Sequence, residues 1–290
     1  MGFRIVKINH RCKLETQLNY LVCRQEKETR ILLDEIAILI VESQQVCLTS
    51  ALMKDLMDHK VRIVFCDEQH NPMGEVSPYS GCFDSPDKIQ KQVRWSEDKK
   101  GEVWRKIVRL KIENQAKVLK KKGKEEASNR LYQFRDEVEP DDPGNREGLA
   151  AKMYFSSLFS DSFDRRDKSL PENTYLNYGY SILLSAVNRE IAIFGYLSSW
   201  GIHHRGTQNC FNLGCDLMEP FRPLVDIVLL EHELTEDNYK RVLLERFSEN
   251  ILFDTKAMVF ENAIHEYVLR VLNCLKEDSL TSFPIVTFLE

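Results

Sequence analysis

The sequence predicts an α+β protein in which a small β domain precedes a larger helical one. Two observations carry this. Up to about residue 80 the apolar residues come in short β-rich runs separated by polar turns, and from about Ile89 they recur at helical spacing. The length agrees, because 290 residues exceed the roughly 100 to 200 typical of one domain.

The elements follow in order. Phe3 to Ile8, Leu18 to Arg24, Arg30 to Leu33 and Ile36 to Val41 read as strands. Thr49 is placed to cap a short helix, Ser50 to His59, with Leu52, Leu56 and Met57 on one face. Val61 to Cys66 is an apolar strand, and Asn71-Pro72-Met73-Gly74 is a turn leading into a last strand, Glu75 to Ser77. Six strands and one helix therefore fill residues 1–80. Residues 81–88, with Pro78 and Pro86 nearby, form the linker to a helical domain at 89–290. There Val103, Ile107, Leu110, Val118 and Leu119 mark a long helix from about Arg94 to Lys124. Leu183, Val187, Ile191, Phe194 and Leu197 mark a second, while Val242 to Phe253 and Met258 to Leu275 add two more. Glu137 to Asn145, rich in Glu, Asp, Pro and Gly, is an exposed loop inside this domain.

Composition narrows the function classes. With 43% hydrophobic and 29% charged residues the chain can bury a core and keep a wet surface. No stretch approaches the ~18 consecutive apolar residues of a membrane span, and the N-terminus lacks the apolar core of a secretory signal. The eight cysteines are scattered and none forms a C-x-x-C pair, which disfavours zinc ribbons and redox motifs. A cytoplasmic protein with reduced thiols is the simplest reading. A formal charge of −5 argues against indiscriminate coating of nucleic acid but leaves room for a local basic surface. There is no P-loop and no G-x-S-x-G elbow.

Three segments hold polar groups that a plain helical bundle does not require. Glu147 follows a Pro-Gly loop at the start of the small-residue helix Arg146 to Phe155, where the helix dipole alone would favour an acid. His203 and His204 stand in Gly201-Ile202-His203-His204-Arg205, directly after an apolar helix, where they are either dipole partners or ligands. Asp216 and Glu219 lie three apart in Asp216-Leu217-Met218-Glu219-Pro220-Phe221-Arg222, which is both a capping box and a face with two acids. Taken together, two carboxylates and an imidazole suit Mg²⁺ or Mn²⁺. Such an ion polarises a phosphate and activates water or a sugar 3′-hydroxyl. The long helix adds a basic surface that includes Arg105, Arg109, Lys111, Lys120, Lys121 and Lys122, to which Arg205, Arg165, Arg166 and Lys168 are possible extensions. It is either a solvated face or a phosphate-tracking one.

At these residues the chain resembles the CRISPR-associated spacer integrase and endonuclease family, the first of the two universal Cas proteins, in its type II form. The resemblance spans nearly the whole chain, through Asp34 to Glu42, Asn71 to Gly74, Arg146-Glu147-Gly148, Asn177-Tyr178-Gly179-Tyr180, Gly201 to His204 and Asp216 to Pro223. It implies a β-sandwich-like N-terminal domain that forms a homodimer, and an all-α-helical catalytic, DNA-binding domain. It implies Glu147, His204 and Glu219 as metal ligands and catalytic residues, with Asp216 and Arg222 supporting them. The implied partners are double-stranded DNA (prespacer and CRISPR repeat) and the small second universal Cas protein in a heterohexamer. The RNA-guided effector nuclease and other type II adaptation proteins complete them. The implied reaction inserts a short duplex spacer by 3′-hydroxyl attack at the repeat; with water the same site cleaves DNA. The alternatives are a structure-selective, metal-dependent nuclease in repair and a non-catalytic DNA-binding scaffold.

Overall fold

The computed structural model describes residues 4–25, 27–68, 72–76, 84–160, 162–277 and 280–288. The chain begins with β1 (Arg4–Ile8), β2 (Cys12–Gln17), β3 (Tyr20–Arg24), β4 (Glu28–Leu32), β5 (Ile36–Val41) and β6 (Val46–Leu48). Helix α1 (Ser50–Asp58), β7 (Arg62–Cys66) and β8 (Pro72–Val76) follow. These strands make two four-stranded sheets, ordered β1-β5-β7-β8 and β4-β3-β2-β6. Strand β5 is parallel to both β1 and β7, and all six of its residues are buried. Its unbroken apolar run suits a strand covered on both faces. Ile36, Leu39 and Val41 pack with Leu14, Leu21, Leu52 and Leu56, whereas Ala37, Ile38 and Ile40 join the core of the helical region. One sheet is thereby shared between the β-rich and helical parts. Thr49 caps α1 as expected, its hydroxyl accepting the Leu52 N–H at 3.2 Å.

The sequence reading missed β2 and β6 and misplaced two turns. Leu18 and Asn19 are not strand residues: at φ 48° and 66° they form the two-residue turn between β2 and β3, the left-handed pair that a tight hairpin requires. Pro72-Met73-Gly74 belongs to a strand, since Pro72 opens an edge strand where its missing N–H costs nothing. Phe3, Asn71, Ser77 and Gly81 to Phe83 lie outside the described residues.

The second part holds α2 (Ser85–Val93), α3 (Glu97–Lys121), α4 (Glu125–Asp136), α5 (Arg146–Leu158) and α6 (Pro171–Ile193). Then come α7 (Asn212–Met218), a 3-10 turn (Glu219–Phe221), α8 (Arg222–Asp226), α9 (Val228–Glu231), α10 (Tyr239–Arg246) and α11 (Phe260–Lys276). This part is not all-helical. Residues expected to continue a helix to Phe253 instead form β9 (Asn250–Phe253), which pairs with β10 (Lys256–Val259) and with β11 (Val286–Thr287). Asp254, at φ 52°, turns the chain between β9 and β10. Over four residues an apolar run cannot distinguish strand from helix, and the partner β11 comes from far along the chain.

Helix α3 is the axis of this part, roughly 37 Å long at 1.5 Å per residue. Ser96 caps it by accepting the Lys99 N–H, and Val103, Trp104, Ile107, Val108, Ile112 and Leu119 are buried along it. Truncating one of the larger of these to alanine costs about 2–5 kcal/mol. No described helix is long and apolar enough to cross a membrane.

Candidate active site

The loop before α5 is built from strained residues. Asp141, Asp142 and Asn145 have φ of 62°, 50° and 47°, a region that non-glycine residues seldom occupy. The Asp142 carboxylate accepts the N–H groups of Arg146 and Glu147, each at 2.9 Å, and the Asn145 side chain accepts that of Gly148. The first turn of α5 is thus capped by Asp142 and Asn145. The Glu147 carboxylate turns elsewhere and accepts a hydrogen bond from the Lys111 ammonium on α3.

The histidine segment is held from three sides. Gln92, wholly buried, donates to the carbonyls of Leu197 and Trp200 at 2.9 Å and accepts the Leu197 N–H. Gly201 has no room for a side chain, because a Cβ there would stand 2.4 Å from the His204 carbonyl oxygen and 2.8 Å from Asp216. Asp216, also wholly buried, accepts the N–H groups of Ile202 (2.6 Å), His203 (3.1 Å) and His204 (3.1 Å). Its carboxylate also takes His204 Nδ1 at 2.6 Å. That bond, against the cost of burial, raises the His204 pKa above its ordinary value. An imidazole held this way by a carboxylate keeps its other nitrogen for a metal or a proton. His203 is engaged differently: its Nδ1 lies 3.0 Å from Asp141, and its ring stacks on Trp104 at 4.4 Å and 3°.

Glu219 sits on the 3-10 turn between α7 and α8 and is 4% exposed. Asn114 of α3 fixes that turn, donating to the Pro220 carbonyl at 2.9 Å and to that of Val286 at 2.8 Å. The capping-box alternative for Asp216 and Glu219 does not describe the structure, since Asp216 binds the 202–204 backbone and neither acid caps a helix start. Glu219 forms ion pairs with Lys111 and, at 2.9 Å, with Arg222. Burial pushes its carboxyl up, but Arg222 and Lys111 outweigh this and hold it below the usual glutamate value. Lys111 is raised in turn, because the two glutamates overcome its own desolvation. The Arg222 guanidinium lies 4.6 Å over the Tyr180 ring, whose hydroxyl donates to buried Asp226. Burial lifts that aspartate to about 6.

Glu147 and Glu219 therefore meet at one ammonium, and His204 stands close enough to Glu219 for each to favour the other's charged form. Among the described residues no three acid, histidine or cysteine side chains are gathered as a ready coordination cluster. The donor chemistry still fits a hard divalent cation: two carboxylates that already need a positive charge between them, beside an oriented imidazole.

The other basic residues, Lys120 aside, are engaged with partners outside this centre. Arg105 pairs with Glu102 (2.7 Å), Arg109 with Asp136 (3.3 Å), Lys121 with Glu231 and Arg205 with Glu97. Lys122 donates to the Leu158 carbonyl, and Lys120 is exposed. Lys111, which the sequence groups with this basic surface, is instead buried: its side chain is 7% exposed. The signal was its place in the apolar stripe, seven residues after Trp104 and four after Ile107. Asn114 and Gln92 carried no comparable sign, because what they hold lies far away in sequence.

A partly exposed glutamate, an anchored histidine and a buried glutamate thus form one polar site on an α+β scaffold. Residues 6–241 match the family described as CRISPR associated protein Cas1, and the chain belongs to that family. It is 37% identical over 231 residues to the CRISPR-associated endonuclease Cas1 of Neisseria meningitidis serogroup C (strain 8013), covering 79% of this chain and 76% of that one. Among solved structures it resembles a casposase bound to integration product, with a TM-score of 0.75 and 19% identity over 97% of this chain and 93% of that one. It also resembles a chain of a Cas6-RT-Cas1–Cas2 complex, with a TM-score of 0.77 and 18% identity over all of this chain and 36% of that one.

Proposed function

We propose that this protein is a metal-dependent DNA endonuclease and integrase of CRISPR adaptation, in its type II form. The single observation behind this reading is the meeting of Glu147 and Glu219 on one positive charge beside Asp216-anchored His204. Glu147, His204 and Glu219 would hold Mg²⁺ or Mn²⁺. When bound, the cation supplies Lewis-acid stabilisation of charge developing on a phosphodiester.

The chain's own side chains do the rest. Asp216 fixes the ring of His204 through Nδ1, so the other ring nitrogen is presented in one orientation. Arg222 and its Tyr180–Asp226 backing hold Glu219 ionised and in place. Asn114 keeps the Glu219 turn against α3, and Asp142 keeps Glu147 at the head of α5. With a DNA 3′-hydroxyl as nucleophile the outcome is strand joining at the repeat; with water it is cleavage.

The relative's printed name as an endonuclease and the casposase's integration product support this chemistry. The Cas1–Cas2 assembly among the structural neighbours supports a small second Cas protein as partner, and we propose that the two form a heterohexamer built on a homodimer of this chain. In this reading residues 1–80 dimerise in a β-sandwich-like unit and residues 89–290 bind prespacer and repeat DNA, with Arg105, Arg109, Lys120, Lys121, Lys122 and Arg205 on phosphates. The protein works in the cytoplasm alongside the RNA-guided effector nuclease and other adaptation proteins.

The test mixes the purified protein with a 3′-hydroxyl duplex and a repeat-bearing plasmid, with and without the small partner. Covalent insertion that needs both proteins and is lost in Glu147→Ala, with DNA binding kept, is the expected result. Cleavage without insertion would point to a repair nuclease, and full activity in Glu147→Ala would leave only a scaffold.

A further inference from the structure

Lys111 is the least expected member of the site. It projects from the buried face of α3 and touches Glu147 and Glu219 at once. A buried ammonium is costly unless paired, and two carboxylates this close repel unless a cation stands between them. Each side of the arrangement thus relieves the other. Arg222 gives Glu219 a second cation, whereas Lys111 is what Glu147 turns to.

We propose that Lys111 is a built-in counter-ion of the site, displaced when a divalent cation binds Glu147 and Glu219. The inference rests on the metal-dependent reading above. A doubly charged ion shared by the two carboxylates and an ammonium contacting both would occupy one space and repel each other. Lysine suits a removable occupant, being a single point charge on a flexible four-carbon arm, where arginine would grip a carboxylate with a rigid fork. Before the cation arrives, Lys111 keeps the glutamates assembled. Its removal is then part of cation binding, and weakens it. A purely structural ion pair has the opposite sign, because loss of Lys111 would let the carboxylates part and would lower cation affinity.

The experiment measures Mn²⁺ binding to the full-length chain as loss of the free-ion paramagnetic resonance signal, in wild type, Lys111→Met and Lys111→Arg. Lys111→Met is expected to bind at least about tenfold more tightly than wild type, through loss of one opposing charge. Lys111→Arg, which keeps the charge and grips the carboxylates more firmly, is expected to bind no more tightly than wild type. Equal or weaker binding by Lys111→Met, or tightening by Lys111→Arg as well, overturns the inference and leaves the metal reading standing. No saturable binding by wild type or either variant overturns both.

Lys111→Met also leaves two carboxylates facing each other and threatens folding, so a second measurement uses wild type alone. Acylation of Lys111 by an amine-directed reagent, read by peptide mass spectrometry, should rise severalfold when Mn²⁺ is added. Unchanged labelling under saturating Mn²⁺ overturns the displacement.

Discussion

Two buried charge clusters in this molecule use the same residue types to different ends. In the site, Lys111 and Arg222 serve Glu147 and Glu219, and the Glu219 carboxyl is held low despite its burial. In the other, Arg189 and Glu190 of α6 meet Glu261 and His265 of α11, while Arg62 of β7 pairs with Glu75 of β8. There one arginine faces two acids, at 2.8 Å to Glu190 and 3.5 Å to Glu261, and burial drives Glu261 up to about 7. The Glu147 side chain is 29% exposed, whereas Glu190 and Glu261 are almost wholly covered. Burial of charge is common to both. What separates them is a second cation on one carboxylate and an acid that still reaches solvent: on the proposal above the first cluster exchanges Lys111 for a metal ion, whereas the second ties α6 to α11.

The largest effects should fall on opposite properties. Glu219→Gln is expected to slow strand joining by about 10³-fold, the several kcal/mol a lost cation site costs, with little change in DNA binding. Arg189→Met is expected to lower unfolding free energy by about 3–5 kcal/mol through stranded buried carboxylates. Folded Arg189→Met should join strands at close to the wild-type rate. Urea melts and joining assays on both variants check the division, and a joining defect in folded Arg189→Met as deep as that of Glu219→Gln would erase it.

The second cluster also predicts a pH dependence. Glu261 is an acid whose folded pKa, about 7, lies above its ordinary 4.5, so the folded state binds its proton more tightly. The stability it contributes is complete below pH 4.5 and is lost as pH rises through 7. Relative to Glu261→Gln, wild type should lose on the order of 3 kcal/mol between those limits, as unfolding midpoints from pH 5 to 8 would show. Parallel curves would mean that Arg189 neutralises the charge fully.

Smaller effects follow from the supports. Asp216→Asn should weaken Mn²⁺ binding by about 10–100-fold, because the histidine loop loses the carboxylate that orients His204. An unchanged affinity, by the same resonance assay, would place His204 outside the cation's reach. Arg105→Ala, whose ion pair lies at the surface, should cost at most about 0.5 kcal/mol of stability. Its DNA affinity should fall less steeply with salt, the logarithmic slope easing by about one.

What was legible in the sequence was local. The β5 run and the Thr49 cap of α1 announce themselves within ten residues, and both are present. The turn at Leu18-Asn19 was hidden because leucine is a poor marker for a left-handed conformation, and β9 because its partner β11 lies more than thirty residues away. The site was legible as three segments. Their meeting was not, since it depends on α3, whose Lys111 looks in sequence like one more cation in a basic helix. Asp216 and Glu219 fit a capping box equally well until the backbone of 202–204 is seen to wrap around Asp216. Physical tethering between distant residues is what periodicity cannot report.

Anomalous scattering from crystals of the protein soaked in Mn²⁺ tests the shared centre most directly. A single strong peak within coordination distance of Glu147, His204 and Glu219, with Lys111 turned aside, is the predicted result. Manganese bound elsewhere, with the Lys111 ion pairs intact in fully loaded crystals, would contradict it.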